Sequence, residues 1–142
     1  MQLELFFNFD GNCREALDFY AQVFNASVEN VMTYGETPAD DASYQIAEAD
    51  RQRIMYAGMK IGQMTAMFMD MPADQPLTVG NNIMPTLSDS DLAEVKRIFE
   101  ALSVGGRVYQ SLQKTFFAPC YGMVEDKYGF IWQVLQYEPM PS

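Results

Sequence analysis

The chain has 142 residues, about half apolar and a fifth charged, which fits one folded domain and leaves no disordered or low-complexity tract. A formal charge of −10, with nine scattered Lys and Arg, argues against a nucleic-acid partner, whose binding relies on clustered cations releasing counterions. Histidine is absent, so Ser–His–Asp and Cys–His mechanisms are excluded, as is imidazole ligation of a metal.

The opening MQLELFFNFD has neither a basic n-region nor a cleavage site, and no apolar stretch approaches the ~20 residues needed to span a bilayer. Cys13 and Cys120 are too few for a disulfide framework. A cytoplasmic protein without a membrane partner is expected.

The first element is the apolar run Leu3–Phe9, expected as a strand. Asn12 follows as an N-cap, with Glu15 placed to close a capping box. Cys13, Ala16, Leu17, Tyr20 and Phe24 then recur at the spacing of one buried helix face, and Asn25 suits the left-handed residue that ends a helix. Period-two segments come next: SVENVMTYG, then RIMYAGMKIGQMTAMFMD with a turn at Lys60–Ile61–Gly62. Between them lies the polar segment Gly35–Gln52, longer than most connections, which reads as a lid, an arm around a partner subunit or a solvated face.

The pattern then repeats. Asn82–Leu87 is a second apolar run. Ser88–Asp91 supply capping residues, Leu92, Val95, Phe99 and Leu102 form a stripe, and Gly105–Gly106 stop the helix. RVYQSLQKT and YGMVEDKYGFIWQVLQYE complete the unit, with Asp126–Gly129 as a turn suited to positive φ at glycine. Pairing Leu17 with Val95 sets an offset of 78 residues (17 to 95), which also pairs Phe24 with Leu102 and Asn8 with Thr86. Each half therefore reads β-α-β-β-β, the signature of an internal duplication. The halves run from about 1 to 75 and about 80 to 138 within one domain spanning 1–142.

The opening DGNCREALDFYAQVF, the duplicated order and the closing G-x-V-E-D-x-Y-G-F-x-W hairpin resemble the vicinal oxygen chelate superfamily, which includes glyoxalases, bleomycin resistance proteins and dioxygenases. More narrowly they resemble its PhnB-like branch, often labelled demethylubiquinone methyltransferase-like. The resemblance implies an α+β, glyoxalase-like fold in which the two modules form an incomplete barrel around a cavity, usually in a homodimer. Many members hold a divalent metal there, on ligands from the first and last strand of each half.

Carried onto this chain, those ligand positions fall on Leu5, Ala66 (or Met67 with a one-residue slip), Ile83 and Gln133. One neutral amide among carbon-lined positions cannot hold a catalytic divalent ion. No metal and no other cofactor is therefore expected. A methyltransferase site needs a glycine-rich loop after a parallel strand, whereas Gly105–Gly106 follow a helix.

What remains is a cavity lined, if strand alternation holds, by Leu5, Phe7, Ile83, Ile131, Gln133 and Leu135, suited to a small organic molecule. The plainer reading of Gln133 is a half-buried amide paired with neighbouring backbone. Phe116, Phe117, Tyr121, Tyr128 and Trp132 read first as core and dimer-interface packing, with Trp132 facing a helix. The methionines from Met55 to Met71 read as core filler, and Cys120 as a structural thiol. Three functions stay open: a metal-independent binding protein, an enzyme of the same superfamily using acidic residues such as Glu4 or Asp126, and a dimeric scaffold.

Overall fold

The computed structural model describes residues 1–37 and 45–140. Part of the polar segment, residues 38–44, lies outside them. The backbone gathers into two units, Met1–Thr78 and Val79–Ser142.

The first unit comprises β1 (Phe6–Phe9), α1 (Cys13–Phe24), β2 (Val28–Thr33), β3 (Ile54–Ile61) and β4 (Met64–Asp70), with 3-10 turns at Tyr34–Glu36 and Glu48–Asp50. The second comprises β5 (Thr86–Asp89), α2 (Leu92–Ser103), β6 (Arg107–Gln113), β7 (Cys120–Glu125) and β8 (Ile131–Gln136). The sheets are ordered β1-β4-β3-β2 and β5-β8-β7-β6. In each, the first strand lies parallel to the last and the remaining pairs are antiparallel. The β-α-β-β-β order expected from the sequence is thus present twice, in an α+β fold with unclosed sheets.

Backbone hydrogen bonds fix how the two units correspond. Met67 N donates to Leu5 O and Met71 N to Phe9 O, while Gln133 N donates to Pro85 O and Tyr137 N to Asp89 O. Leu5 therefore corresponds to Pro85 and Phe9 to Asp89, an offset of 80 in the first strands (5 to 85, 9 to 89). The buried helix positions Ala16, Tyr20 and Val23 correspond to Val95, Phe99 and Leu102, an offset of 79 (16 to 95). The single offset of 78 is corrected by both. One residue of the difference lies in the helix register, where Ala16 and not Leu17 corresponds to Val95. The other lies in a strand–helix link one residue shorter in the second unit, Ser90–Asp91 against Asp10–Asn12.

The start of α1 also differs from expectation. The Asn12 side chain makes no cap bond; its Oδ1 accepts from Asp10 N at 3.3 Å. The open amides are met by Asp70 at the end of β4, whose Oδ1 accepts from Gly11 N at 2.8 Å and Cys13 N at 3.0 Å. Its Oδ2 accepts from Ile54 N at 2.9 Å. A carboxylate at a helix amino end gains from both the unpaired N–H groups and the helix dipole. By contrast α2 is capped within its own run, by Asp91 accepting from Ala93 N at 2.9 Å. Asn25 ends α1 in the left-handed region at φ 49°, as expected.

Each helix packs against one face of its own sheet, although Val23 takes the buried place expected of Phe24 and Leu92 is exposed at the start of α2. Beneath α1, Tyr20, Phe7, Phe9 and Phe68 form a ring cluster with centroids 5.2–6.5 Å apart. Burying such a ring contributes on the order of 2–3 kcal/mol. Beneath α2 the buried set is Val95, Phe99, Leu102, Val124, Trp132 and Val134.

Candidate functional site

Strand alternation sends one set of side chains to the helix and the other to the opposite face of the sheet. In the first unit Phe7 and Phe9 go to the helix, so Phe6 and Asn8 occupy the opposite face. Cross-strand register adds Met67 beside Phe6 and Met69 beside Asn8, with Gly58 beyond Met67 on β3. Tyr56, also on β3, meets Phe6 edge-on at 6.2 Å. In the second unit Trp132 and Val134 go to the helix, leaving Ile131, Gln133 and Leu135 on the far face of β8. Their neighbours are Tyr121 and Met123 on β7 and Thr86 and Ser88 on β5.

The candidate lining residues are therefore distributed as follows. Ile131, Gln133 and Leu135 are half-buried on one sheet face. Phe7 is packed under α1, because β1 begins its alternation one residue away from the assumed phase. Leu5 is half-buried just before β1, where its carbonyl receives Met67 N. Ile83 is exposed, two residues before the position that corresponds to Leu5.

Gln133 is engaged at both its oxygen and its nitrogen, though with side chains rather than backbone. Its Oε1 accepts from Tyr121 Oη at 2.5 Å, and its Nε2 donates to Thr86 Oγ1 at 3.1 Å. The network crosses three strands and fixes the amide. Phe117 meets Tyr121 edge-on at 5.0 Å, and Phe116 meets Phe117 at 5.2 Å. Neither phenylalanine is core: Phe116 is wholly exposed and Phe117 is 57% exposed. With Lys114, Leu135, Tyr137 and Glu138 they border an open groove of about 590 Å3.

Of the acidic residues that offered an enzymatic alternative, Asp126 is otherwise occupied. Asp126 is buried, and its carboxylate accepts from Tyr128 N at 2.8 Å, Phe130 N at 3.2 Å and Trp132 Nε1 at 2.8 Å. That carboxylate builds the β7–β8 turn and anchors the indole. Glu125 accepts from Tyr109 Oη at 3.0 Å, and Glu4 lies exposed before β1. In the first unit Arg53 bridges Asp10 at 2.9 Å and Asp50 at 3.6 Å and also donates to Met71 O. The hydrogen bond from Arg53 to Asp10 raises the Arg53 pKa above its ordinary value. Tyr34 donates to Asp70 O at 2.8 Å; burial, then Asp50 and Asp70, push its hydroxyl pKa up. Burial, reinforced by Asp70, raises the Cys13 thiol well above its usual range. These groups brace the start of α1.

The polar segment is tied down at both described ends. Gly35 N donates to Arg51 O and Tyr34 N to Arg53 O. Asp50 is buried and accepts from Ala73 N at 2.9 Å, so it departs from the expected solvated face, whereas Glu36 and Glu48 are exposed.

The corrected correspondence groups Phe6 and Met67 with Thr86 and Gln133 as matched cross-strand pairs. Neither pair, an aromatic ring with a thioether in the first unit or a hydroxyl with a neutral amide in the second, supplies the carboxylate oxygen, imidazole or thiolate that a catalytic divalent ion needs. Among the described residues no three Asp, Glu or Cys side chains gather as a metal site.

Residues 2–135 match the sequence family described as 3-demethylubiquinone-9 3-methyltransferase. The chain belongs to that family. With its fold, this makes it a PhnB-like member of the vicinal oxygen chelate superfamily. Protein YjdN of Escherichia coli is similar at 27% identity, covering 100% of this chain and 99% of its own. The structure of protein PA1353 from Pseudomonas aeruginosa is similar at TM-score 0.85 and 29% identity, over 98% of this chain and 99% of that one. The fosfomycin resistance protein FosX from Mesorhizobium loti shares the fold alone, at TM-score 0.60 and 11% identity over 99% and 92% of the two chains. No described helix is long and apolar enough to cross a membrane.

Proposed function

We propose that this family member is a metal-independent binding protein that holds a small organic molecule against the sheet faces opposite its helices. It works as a homodimer of single-domain chains in the cytoplasm. The observation that supports this reading is the donor set. Phe6, Met67, Thr86 and Gln133 stand at matched strand positions and offer contact area and hydrogen bonds but no anionic oxygen. Ile131 and Leu135 extend that lining.

The methyltransferase description travels with the family and finds little support in these residues. The one parallel strand–helix link of the first unit carries a single glycine, Gly11, and the amides at the start of α1 are taken by Asp70. An enzyme acting through Asp126 is disfavoured, because three donors already hold that carboxylate.

Native mass spectrometry of freshly purified protein tests the proposal, since it reports metal, co-purified ligand and subunit count together. The expected species is twice the 16.1 kDa chain, without stoichiometric Ni, Zn, Mn or Fe. Adding those ions leaves the melting temperature unchanged, because a ligand that binds only the native state must raise it. A stoichiometric transition metal, or a monomer at micromolar concentration, overturns the reading.

A further inference from the structure

One buried polar atom on the sheet face opposite α1 has no partner. Asn8 Oδ1 is buried and accepts no hydrogen bond. A buried acceptor left unmatched is costly, and native chains keep few of them. The contrast within this molecule is direct, because the Gln133 amide on the second unit's open face is satisfied at both its oxygen and its nitrogen.

The surroundings of Asn8 are apolar and soft. Met69 lies directly across from it on β4, and Phe6 and Met67 form the adjacent cross-strand pair. Tyr56 closes on Phe6 from β3. Thioethers adapt their shape to a flat ring and make favourable sulfur–aromatic contacts. An amide oxygen accepts from N–H or O–H and repels a carboxylate, and the chain's −10 charge also disfavours anions.

We infer that Asn8 selects the ligand: the face bearing Phe6, Tyr56, Met67 and Met69 takes an uncharged planar aromatic molecule whose N–H or O–H donates to Asn8 Oδ1. This deepens the proposed binding function and rests on it.

Matched probes test the inference on the full-length protein. Indole and 1-methylindole differ by one donor, as do phenol and anisole. In calorimetric titration, indole binds about tenfold more tightly than 1-methylindole, the ratio expected for one well-made hydrogen bond in a buried site. Phenol exceeds anisole in the same sense. With methionine methyl groups labelled with 13C, indole shifts the Met67 and Met69 signals and leaves that of the exposed Met1 unmoved. Asn8→Leu abolishes the preference while retaining 1-methylindole binding, and Asn8→Asp, which keeps an acceptor, retains the preference. Should Asn8→Leu fail to fold, Asn8→Ala and the methyl shifts in the unmodified protein carry the same test.

Equal affinities for the paired probes, shifts confined to other methionines, or no probe binding at all overturns the inference. A co-purified molecule lacking an aromatic donor also sinks it, yet leaves the proposed binding function standing. A stoichiometric metal sinks that function, while donor selectivity at Asn8 is judged by the probes alone.

Discussion

The Asp70 carboxylate closes the amino end of a helix whose first residue, Cys13, lies 57 positions earlier in the chain. One side chain thereby joins β4, the β1–α1 link and the start of β3, through bonds to Cys13, Gly11 and Ile54. Asp70→Asn keeps the shape but turns one acceptor into a donor that faces an amide N–H. The expected loss is about 2–4 kcal/mol in urea unfolding, the scale for breaking a buried charged network. Asp91→Asn, at the exposed cap of α2, costs well under 1 kcal/mol because asparagine caps about as well as aspartate. Similar midpoints for the two variants would show that Asp70 is not the brace assigned to it.

Trp132 is the chain's single tryptophan and is 2% exposed, with its indole N–H held by Asp126 at 2.8 Å. Its fluorescence therefore reports on the second unit. Acrylamide quenches it weakly in the native state and strongly in urea. Trp132→Phe leaves Asp126 short of one donor and opens space beneath α2, for a loss of about 2–4 kcal/mol. Strong native quenching would contradict the placement of the ring.

Cys13 has no exposed surface, and its folded-state pKa lies above the ordinary thiol value of 9.0. Its proton is thus held more tightly in the folded chain than in the unfolded one. That stability is complete below pH 9 and declines above it, as unfolded chains ionise and folded ones do not, at up to about 1.4 kcal/mol per pH unit. Cys13→Ala removes this part of the alkaline slope between pH 9 and 11. Thiol titration with a disulfide reagent at pH 8 finds Cys13 unreactive until urea is added. Rapid native labelling of Cys13, identified by peptide mass, would refute the assignment.

Gly106 begins the return from α2, and a Cβ there would collide with the Glu125 carbonyl oxygen and crowd the Asp126 backbone at 3.1 Å. Backbone on both sides cannot yield as a side chain would. Gly106→Ala is expected to cost at least about 2–3 kcal/mol. At Gly80 the nearest atom is a side-chain oxygen at 3.7 Å, an ordinary contact, so Gly80→Ala stays within about 0.5 kcal/mol. Equal thermal shifts for the two would be inconsistent with this packing.

What the sequence made legible was what short-range chemistry decides. The stripe from Cys13 to Tyr20, the left-handed Asn25 and the glycine turns at Gly62 and Gly129 lie within a few residues of the signals that announce them. What it concealed was decided across the sheet. Asn12 and Glu15 carry the local marks of a capping box, yet a carboxylate from β4 supplies the cap, and no window of the sequence contains both ends of that bond. The phase of β1 was hidden for a related reason, since LELFF is apolar at every position that would distinguish its faces except Glu4. Ile83 was misplaced by two residues: one because Leu17, not Ala16, was paired with Val95, and one because a helix offset was carried onto strands across links of unequal length. Asn8 carried no signal at all: its unmatched oxygen is visible only once its neighbours are in place.

The Asp70 cap has a temporal side. While the ribosome is still making the protein, the first helix waits with bare amides at its head until the last strand of its own half has been translated. An upstream fragment ending before that carboxylate holds every residue of the helix and lacks its keystone. Synthesis of the leading half should therefore finish in one late step at β4 rather than by gradual accretion.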